Sequence, residues 1–377
     1  MMQTILSIAI LATTLTSLYL VWRYRSLRIQ GESPIPIVTF MAILFTSGLD
    51  VGLIMFPLVD FQTFATDPEY ALANPLAIEF GFWGFLVWGF YFLTTFYFCV
   101  IEPKLQLFQI PLIKLVNNLT IVGTCAFTGY LFLHYLPDYI AGIPDGLRLG
   151  LVAATVLLAV ISSTHIRFVK ALSLASSGLF FLLILGAFLA ARMGLGGLWG
   201  AVSQLGDYFG QLHRFVLPIN EYHTFYLYWW FAWSIMIGQF VSRFVGGLRA
   251  WQLLVLLLVV PSIPIGLWFS VLYWYFTHNV SVAGFMSWAM MGIGILFVVN
   301  SLDSLTRLYT QNLGLTVERL GTGPYVVANW VILFALVLAF QFTPFKIEWV
   351  GLTVVGIYAA VYCLVFMRRA RLRSLPL

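Results

Sequence analysis

The chain has 377 residues, of which 61% are hydrophobic and 9% charged, with a formal net charge of +5. So apolar a composition lies outside the soluble globular range and calls for an all-α polytopic membrane protein embedded in a lipid bilayer. Its basic residues are scattered instead of gathered in one patch, which excludes a nucleic-acid role. The sequence contains no P-loop, GxSxG or HExxH motif, so neither an ATPase, a serine hydrolase nor a zinc protease is expected, and the chain is read as no enzyme.

Eleven segments are long and apolar enough to cross a bilayer: 4–22, 35–58, 78–101, 113–136, 148–165, 168–191, 222–244, 251–275, 281–304, 325–344 and 348–367. Little chain is left over for a soluble domain. With the first segment running outside to inside, fifteen Lys and Arg residues fall in inner loops. The other four, Arg148, Arg192, Arg214 and Lys346, fall in outer ones. That bias places the N-terminus outside and the C-terminus in the cytoplasm. Cys99, Cys125 and Cys363 form no CxxC pair, so no disulfide framework or thiolate metal site is expected.

In chain order, segment 4–22 carries no charge and is stopped by RYRSLR, as expected of a retained helix. Pro34 and Pro36 open the next segment, whose middle reads FTSGLDVGLIMF, with Gly48 and Gly52 around Asp50. Glycine weakens a helix, and a mid-membrane acid costs about 2.5–3.5 kcal/mol on insertion scales. One reading is a discontinuous helix whose freed carbonyls hold a small cation. The other is a glycine packing face with Asp50 paired to a neighbouring helix. Loop 59–77 is acidic, as suits an outer loop. Glu79 beyond it reads either as a lure for cations or as a solvated helix start.

Segment 78–101 holds FWGFLVWGFY, with Trp83, Trp88 and Tyr91. In segment 113–136, Thr120, Thr124 and Thr128 are four apart on one face. They read as interhelical glue or, with Thr124 and Thr128 as coupling candidates, as hydroxyls for a cation. Between 196 and 218, Trp199, Val202, Leu205, Phe209 and Leu212 recur at helical spacing, which predicts an interfacial amphipathic helix or a subunit contact. Segment 222–244 includes YLYWWFAWSIMIGQFVSR. There Trp229 and Trp233 lie one turn apart and Trp230 about 100° round. Walls of several aromatic rings hold quaternary ammonium groups, because ring faces attract cations and pack against methyls. The two aromatic sets therefore read as opposite walls of one cage, or alternatively as helix packing. Trp22, Trp199, Trp251, Trp274 and Trp349 fall near segment ends and fit an interfacial belt.

Pro261 and Pro264 predict a kink in segment 251–275. Segment 281–304 ends FVVNSLDS, where Asn300, Ser301, Asp303 and Ser304 gather oxygens. Such a set suits a hard cation, or serves as a polar cap at the membrane edge. Asp303 joins Asp50 as a coupling candidate. The five histidines lie near segment ends and read as interface residues.

Without the first segment, ten remain in two groups of five, and an odd group starts its successor on the opposite membrane side. That is the plan of a five-plus-five inverted-repeat transporter, with substrate near the midplane. The expected division is 1–30 as a peripheral first helix, 31–195 as the first repeat and 196–218 as the amphipathic periplasmic helix. Residues 219–368 form the second repeat and 369–377 a short basic tail.

The run FYLYWWFAWSIMIGQFVSRF resembles the betaine/choline/carnitine transporter family, matching its signature at Trp229, Trp230, Trp233 and Arg243. FWGFLVWGFY, FTSGLDVGLIMF, LLVVPSIPIGLWFS and FVVNSLDS resemble further family segments. The resemblance implies a secondary active transporter in a bacterial cytoplasmic (inner) membrane. It would import a quaternary-ammonium solute such as glycine betaine, choline or a carnitine-like compound by alternating access. The onium group would sit among Trp83, Trp88, Tyr91, Trp229, Trp230 and Trp233, beside Gly48 and Asp50. Symport with Na⁺ or H⁺ is implied, with Na⁺ as the one candidate cofactor, held by Thr46, Leu49, Phe297, Asn300 and Ser301. A homotrimer made through the amphipathic helix is implied as well. Leu227 stands where the family has tryptophan, Asp50 where it has a glycine and Asn300 where it has threonine. The chain also has one segment fewer than the family's usual twelve. A non-transporting membrane sensor of the same ligands is the alternative.

Overall fold

The computed structural model describes residues 2–49, 51–165, 167–282 and 284–372. Its main helices are α1 (Met2–Tyr24), α2 (Ile37–Ser47), α3 (Gly52–Thr66), α4 (Pro75–Trp83), α5 (Gly89–Phe96) and α6 (Pro111–Tyr139). They continue with α7 (Asp145–Ser162), α8 (Arg167–Ala190), α9 (Leu195–Ser203) and α10 (Glu221–Val241). The last five are α11 (Ala250–Val259), α12 (Ser262–Thr277), α13 (Phe285–Leu313), α14 (Thr322–Phe342) and α15 (Ile347–Met367). Starts and stops follow local chemistry. Asn74 caps α4 by accepting from the Ala77 N–H at 3.0 Å, with Pro75 in the first turn. Asn220 caps α10 in the same way through the His223 N–H at 2.9 Å. Gly314, at φ +67°, ends α13.

Among the described residues, nine helical stretches are long and apolar enough to span a membrane, and the bent pair α2–α3 makes ten. Helix α10 is the eleventh expected segment. Its 21 residues reach ~30 Å, but its tyrosines and tryptophans lower its hydropathy below that of the aliphatic helices. It needs no lipid-facing aliphatic surface, because it is walled in by α5, α6 and α15. Two glycines let the backbones close up. A methyl on Gly238 would meet the Thr94 side chain of α5, and one on Gly351 of α15 would meet the Tyr228 carbonyl. Helix α13 packs on α6, α7, α8 and α2. By contrast, α7, α8 and α14 bury one side only and turn Leu158, Leu182, Leu189 and Val331 outward. A two-stranded antiparallel ribbon, β1 (Arg28–Gln30) with β2 (Gly246–Arg249), ties the turn after α1 to the turn after α10.

The single amphipathic helix expected over 196–218 is instead α9, a short helix Gly206–Gly210 and a turn Leu212–Arg214. Gly197 lies against the Trp274 ring of α12, which leaves Trp199 pointing outward at 76% exposure.

Candidate functional site

Two membrane spans are interrupted, and the interruptions meet. The first lies between α2 and α3, which bend by 53°. The second lies between α4 and α5, where the sequence pattern predicts one continuous helix over 78–101. Here Phe85 takes the left-handed conformation at φ +47°, and residues Phe85–Trp88 form a tight 3₁₀ turn.

A broken helix leaves carbonyls and amides without partners, and in a low-dielectric interior each unsatisfied group costs several kcal/mol. Side chains, most of them from distant segments, satisfy them at this break. The Trp230 indole N–H donates to the Phe82 carbonyl at 2.7 Å, and the Trp88 indole N–H donates to the Trp83 carbonyl at 3.0 Å. On the other side of the break the Phe85 N–H donates to the Ser262 hydroxyl at 2.8 Å. The Leu86 N–H donates to the Tyr208 hydroxyl at 3.3 Å. Two of the candidate cage tryptophans therefore also hold the backbone that carries the other rings.

The rings themselves form one cluster. Trp230 lies at its centre, with ring centroids 6.0 Å from Trp83, 6.2 Å from Trp88, 6.0 Å from Tyr91 and 6.3 Å from Trp229. Trp83 stands nearly perpendicular to both Trp229, at 86°, and Trp230, at 84°. All five rings are buried. Trp233 is buried too, but it makes no ring contact with these five among the described residues. Three further rings that the sequence reading passed over complete the wall. Phe56 of α3 lies 5.7 Å from Trp83 and 6.2 Å from Trp229, Tyr226 lies 5.7 Å from Trp229, and Tyr135 stacks on Phe56 at 4.0 Å. Tyr226 is three residues before Trp229 and so was findable by helical spacing. Phe56 and Tyr135 carry no such signal.

The first break touches this cluster. A methyl at Gly48 would lie 2.8 Å from the Leu44 carbonyl and 3.4–3.5 Å from Tyr91 and Trp88, so glycine permits the close approach there. The Tyr91 hydroxyl donates to the Gly48 carbonyl at 3.3 Å. Asp50 lies outside the described residues. Further along, the Ser301 hydroxyl meets the Leu49 carbonyl at 2.7 Å and the Thr46 carbonyl at 3.4 Å, and the Ser47 and Ser304 hydroxyls meet at 2.9 Å. Thr46, Leu49 and Ser301 thus converge in an oxygen-only set. Asn300 does not join it. Its amide donates to Ser176 of α8 at 2.6 Å, and its oxygen accepts from Ser173 at 3.5 Å. The Phe297 ring is buried against Phe45 and Phe180.

The other coupling candidates lie apart from the rings. Asp303 is paired with Arg307, one turn on, at 2.8 Å and accepts from the Ser162 hydroxyl at 2.8 Å. Thr124 bonds back to the Thr120 carbonyl at 2.9 Å, while the buried Thr128 hydroxyl has no partner among the described residues.

Two acids differ from the sequence reading. The sequence pattern places Asp60 in an acidic outer loop, but α3 runs on to Thr66 and buries it to 7% exposure. There it accepts from the Tyr222 hydroxyl at 2.9 Å and the Tyr226 hydroxyl at 3.4 Å. The position of Glu79 near the start of a span predicts a solvated helix start or a lure for cations. Glu79 is fully buried instead, because α4 packs on α3 and α12 along its length. His223, read as an interface residue, is buried with its ring stacked on Phe82 at 4.4 Å.

These features define a polytopic α-helical membrane protein whose two interrupted spans converge on a buried aromatic cluster. No protein-family model matches the chain. It is similar to the glycine betaine transporter OpuD of Bacillus subtilis (strain 168), at 23% identity over a 281-residue alignment that covers 62% of this chain. The chain spans about half, 54%, of the length of that relative. Among solved structures it superposes on a Na⁺-coupled sialic acid symporter, determined in a substrate-bound outward-open state, with a TM-score of 0.52 at 14% identity. That match covers 95% of this chain and 86% of the symporter, so the all-α fold of a membrane transporter is shared along nearly the whole length.

Proposed function

We propose that the protein is a secondary active transporter for a quaternary-ammonium solute, with the onium group received by the cluster around Trp230. The observation that carries this reading is the convergence of Trp83, Trp88, Tyr91, Trp229 and Trp230, from two distant segments, at centroid separations of 5.2–6.3 Å. A cation is attracted to a ring face within about 6 Å of its centroid. A methylated ammonium that parts these rings therefore meets several faces at once. The similarity to a glycine betaine transporter supports this substrate class, and the shared symporter fold supports transport by alternating access.

For coupling we propose Na⁺ at the oxygen set. The Thr46 and Leu49 carbonyls and the Ser301 hydroxyl are the hard donors such an ion takes, placed where α2 ends. Asn300 turns its amide to α8, which leaves that set smaller than the resemblance implies. The protein would act in a bacterial inner membrane, as two inverted five-helix repeats with the N-terminus outside.

The test is radiolabelled uptake of glycine betaine, choline and carnitine in proteoliposomes, with and without a Na⁺ gradient. Trp230→Ala is expected to raise the apparent KM by orders of magnitude. Unchanged uptake in that variant overturns the assignment of the cluster, and uptake indifferent to Na⁺ overturns the ion.

A further inference from the structure

Asp60 and Glu79 are two buried acids whose charges have no partner. Glu79 is fully buried, and among the described residues neither of its carboxyl oxygens has a partner at full hydrogen-bond geometry, the Trp83 indole being the donor beside it. The indole N–H of Trp83, one turn along the same face, is likewise buried and is turned toward the Glu79 carboxyl. Asp60 is the neighbouring acid, held by Tyr222 and Tyr226. Ion pairs among the described residues are Arg148 with Asp145 and Arg307 with Asp303, and neither involves this site.

The ionisable groups that face the pair are phenols and one imidazole. Helix α6 supplies Tyr135 and Tyr139, with Asp138 beyond them. Helix α10 supplies Tyr222, His223 and Tyr226, and the loop after α3 supplies Tyr70. His223 accepts the Ile219 N–H on its ring nitrogen Nδ1 at 3.2 Å, as a neutral ring does. None of these groups brings a positive charge.

Bare carboxylates in such a place cost several kcal/mol each, so they take up a proton unless a cation comes close. The aromatic cluster is where a cation would come. Trp83 belongs to it, and Tyr226 touches both Asp60 and the Trp229 ring. A cavity also reaches the hydrogen-bond partners of Asp60. Tyr222, which donates to Asp60, lines a cavity of about 440 Å³ together with Tyr135 and Glu221.

We propose that Asp60 and Glu79 form a proton-binding carboxyl pair that releases a proton when a net-cationic onium solute enters the adjacent aromatic cluster. The inference rests on the onium reading above and adds a preference for cationic over zwitterionic solutes. No covalent bond to carbon changes. One carboxyl O–H is lost, the proton leaves to water in the Tyr222-lined cavity, and the carboxylate remains as counter-charge to the ammonium. A zwitterion brings its own carboxylate and so displaces less of the proton.

The experiment is binding of choline and of glycine betaine to the purified full chain, by calorimetry between about pH 5.5 and 8 in buffers of different ionisation enthalpy. Choline is expected to release close to one proton, with apparent affinity rising by up to about tenfold per pH unit across the titration of the pair. Glycine betaine should show a weaker dependence. Glu79→Gln, fixed in the neutral form, should lose the proton release and bind choline at least tenfold more weakly, with betaine little changed. Asp60→Asn, which keeps an oxygen for the tyrosine donors, serves as the second variant.

Choline binding that needs Trp230 but releases no proton from the wild type overturns the pair and leaves the aromatic site standing. Proton release that persists in both variants overturns it too, because another group then titrates. If neither solute binds the wild type, the onium reading falls and takes the pair with it. The wild-type measurement needs no variant to fold.

Discussion

The two interrupted spans break for different reasons. Between α2 and α3 the break is written locally, with Gly48 and Gly52 lowering helix stability around an acid. Between α4 and α5 the local sequence is Trp-Gly-Phe-Leu-Val-Trp, which has one glycine and otherwise bulky apolar residues suited to a continuous span. That second break persists because Trp230, Ser262 and Tyr208 reach in from segments more than a hundred residues away to bond the freed backbone groups. One interruption comes from weak helix formers and the other from strong donors elsewhere. They should therefore respond to mutation in different places.

The largest expected effect is at Trp230. Trp230→Ala removes the central ring and the donor to Phe82 together, and is expected to cost about 3–5 kcal/mol, read as a fall in thermal unfolding temperature in detergent. Trp230→Phe keeps a ring but no N–H, and if it unfolds at the wild-type temperature the indole donor is not what holds the end of α4. Ser262→Ala leaves the Phe85 N–H unpaired and should cost about 1–3 kcal/mol, although Ser262 lies on another helix altogether.

At the first break, Gly48→Ala pushes a methyl against the Leu44 carbonyl and toward Trp88. It should cost about 1–3 kcal/mol and also weaken solute binding, which a packing glycine remote from the site would not do. Ser301→Ala is the mildest in stability, about 1 kcal/mol. Yet it is expected to remove any Na⁺ dependence of uptake, since it deletes the side-chain oxygen that bonds both the Thr46 and Leu49 carbonyls. Retained Na⁺ dependence in that variant would place the ion elsewhere. Trp199→Ala, on the exposed face of α9, sharpens the contrast among tryptophans, with a shift within about 0.5 kcal/mol for the monomer.

Much of the site was legible because its residues are costly in a membrane. A cluster of indoles inside a span and glycines beside a mid-membrane acid both break the rule that spans are aliphatic, so they stood out in the sequence. Phe56 and Tyr135 did not stand out, since a lone aromatic residue in an apolar helix looks like any other core residue. Glu79 was misplaced for a related reason. An acid near the start of a span looks like a solvated helix end, and only the packing of α4 between α3 and α12 removes it from water. Trp233 shows the reverse limit of a spacing argument. It shares the helical face of Trp229 by spacing, but the rings around Trp229 and Trp230 include those from α3, α4, the Phe85–Trp88 turn and α5, and none of them makes a ring contact with Trp233 among the described residues.

The sequence alone determined that this chain is a bundle of membrane helices and where most of them begin and end, because lipid demands apolar side chains and internally bonded backbone. It also marked the weak point at Gly48. Only the tertiary structure decided which rings meet, that a second span opens at Gly84, and that Asp60 and Glu79 are both out of water. Those outcomes depend on hydrogen bonds and contacts between residues far apart in the chain, and no local pattern encodes the distance between them.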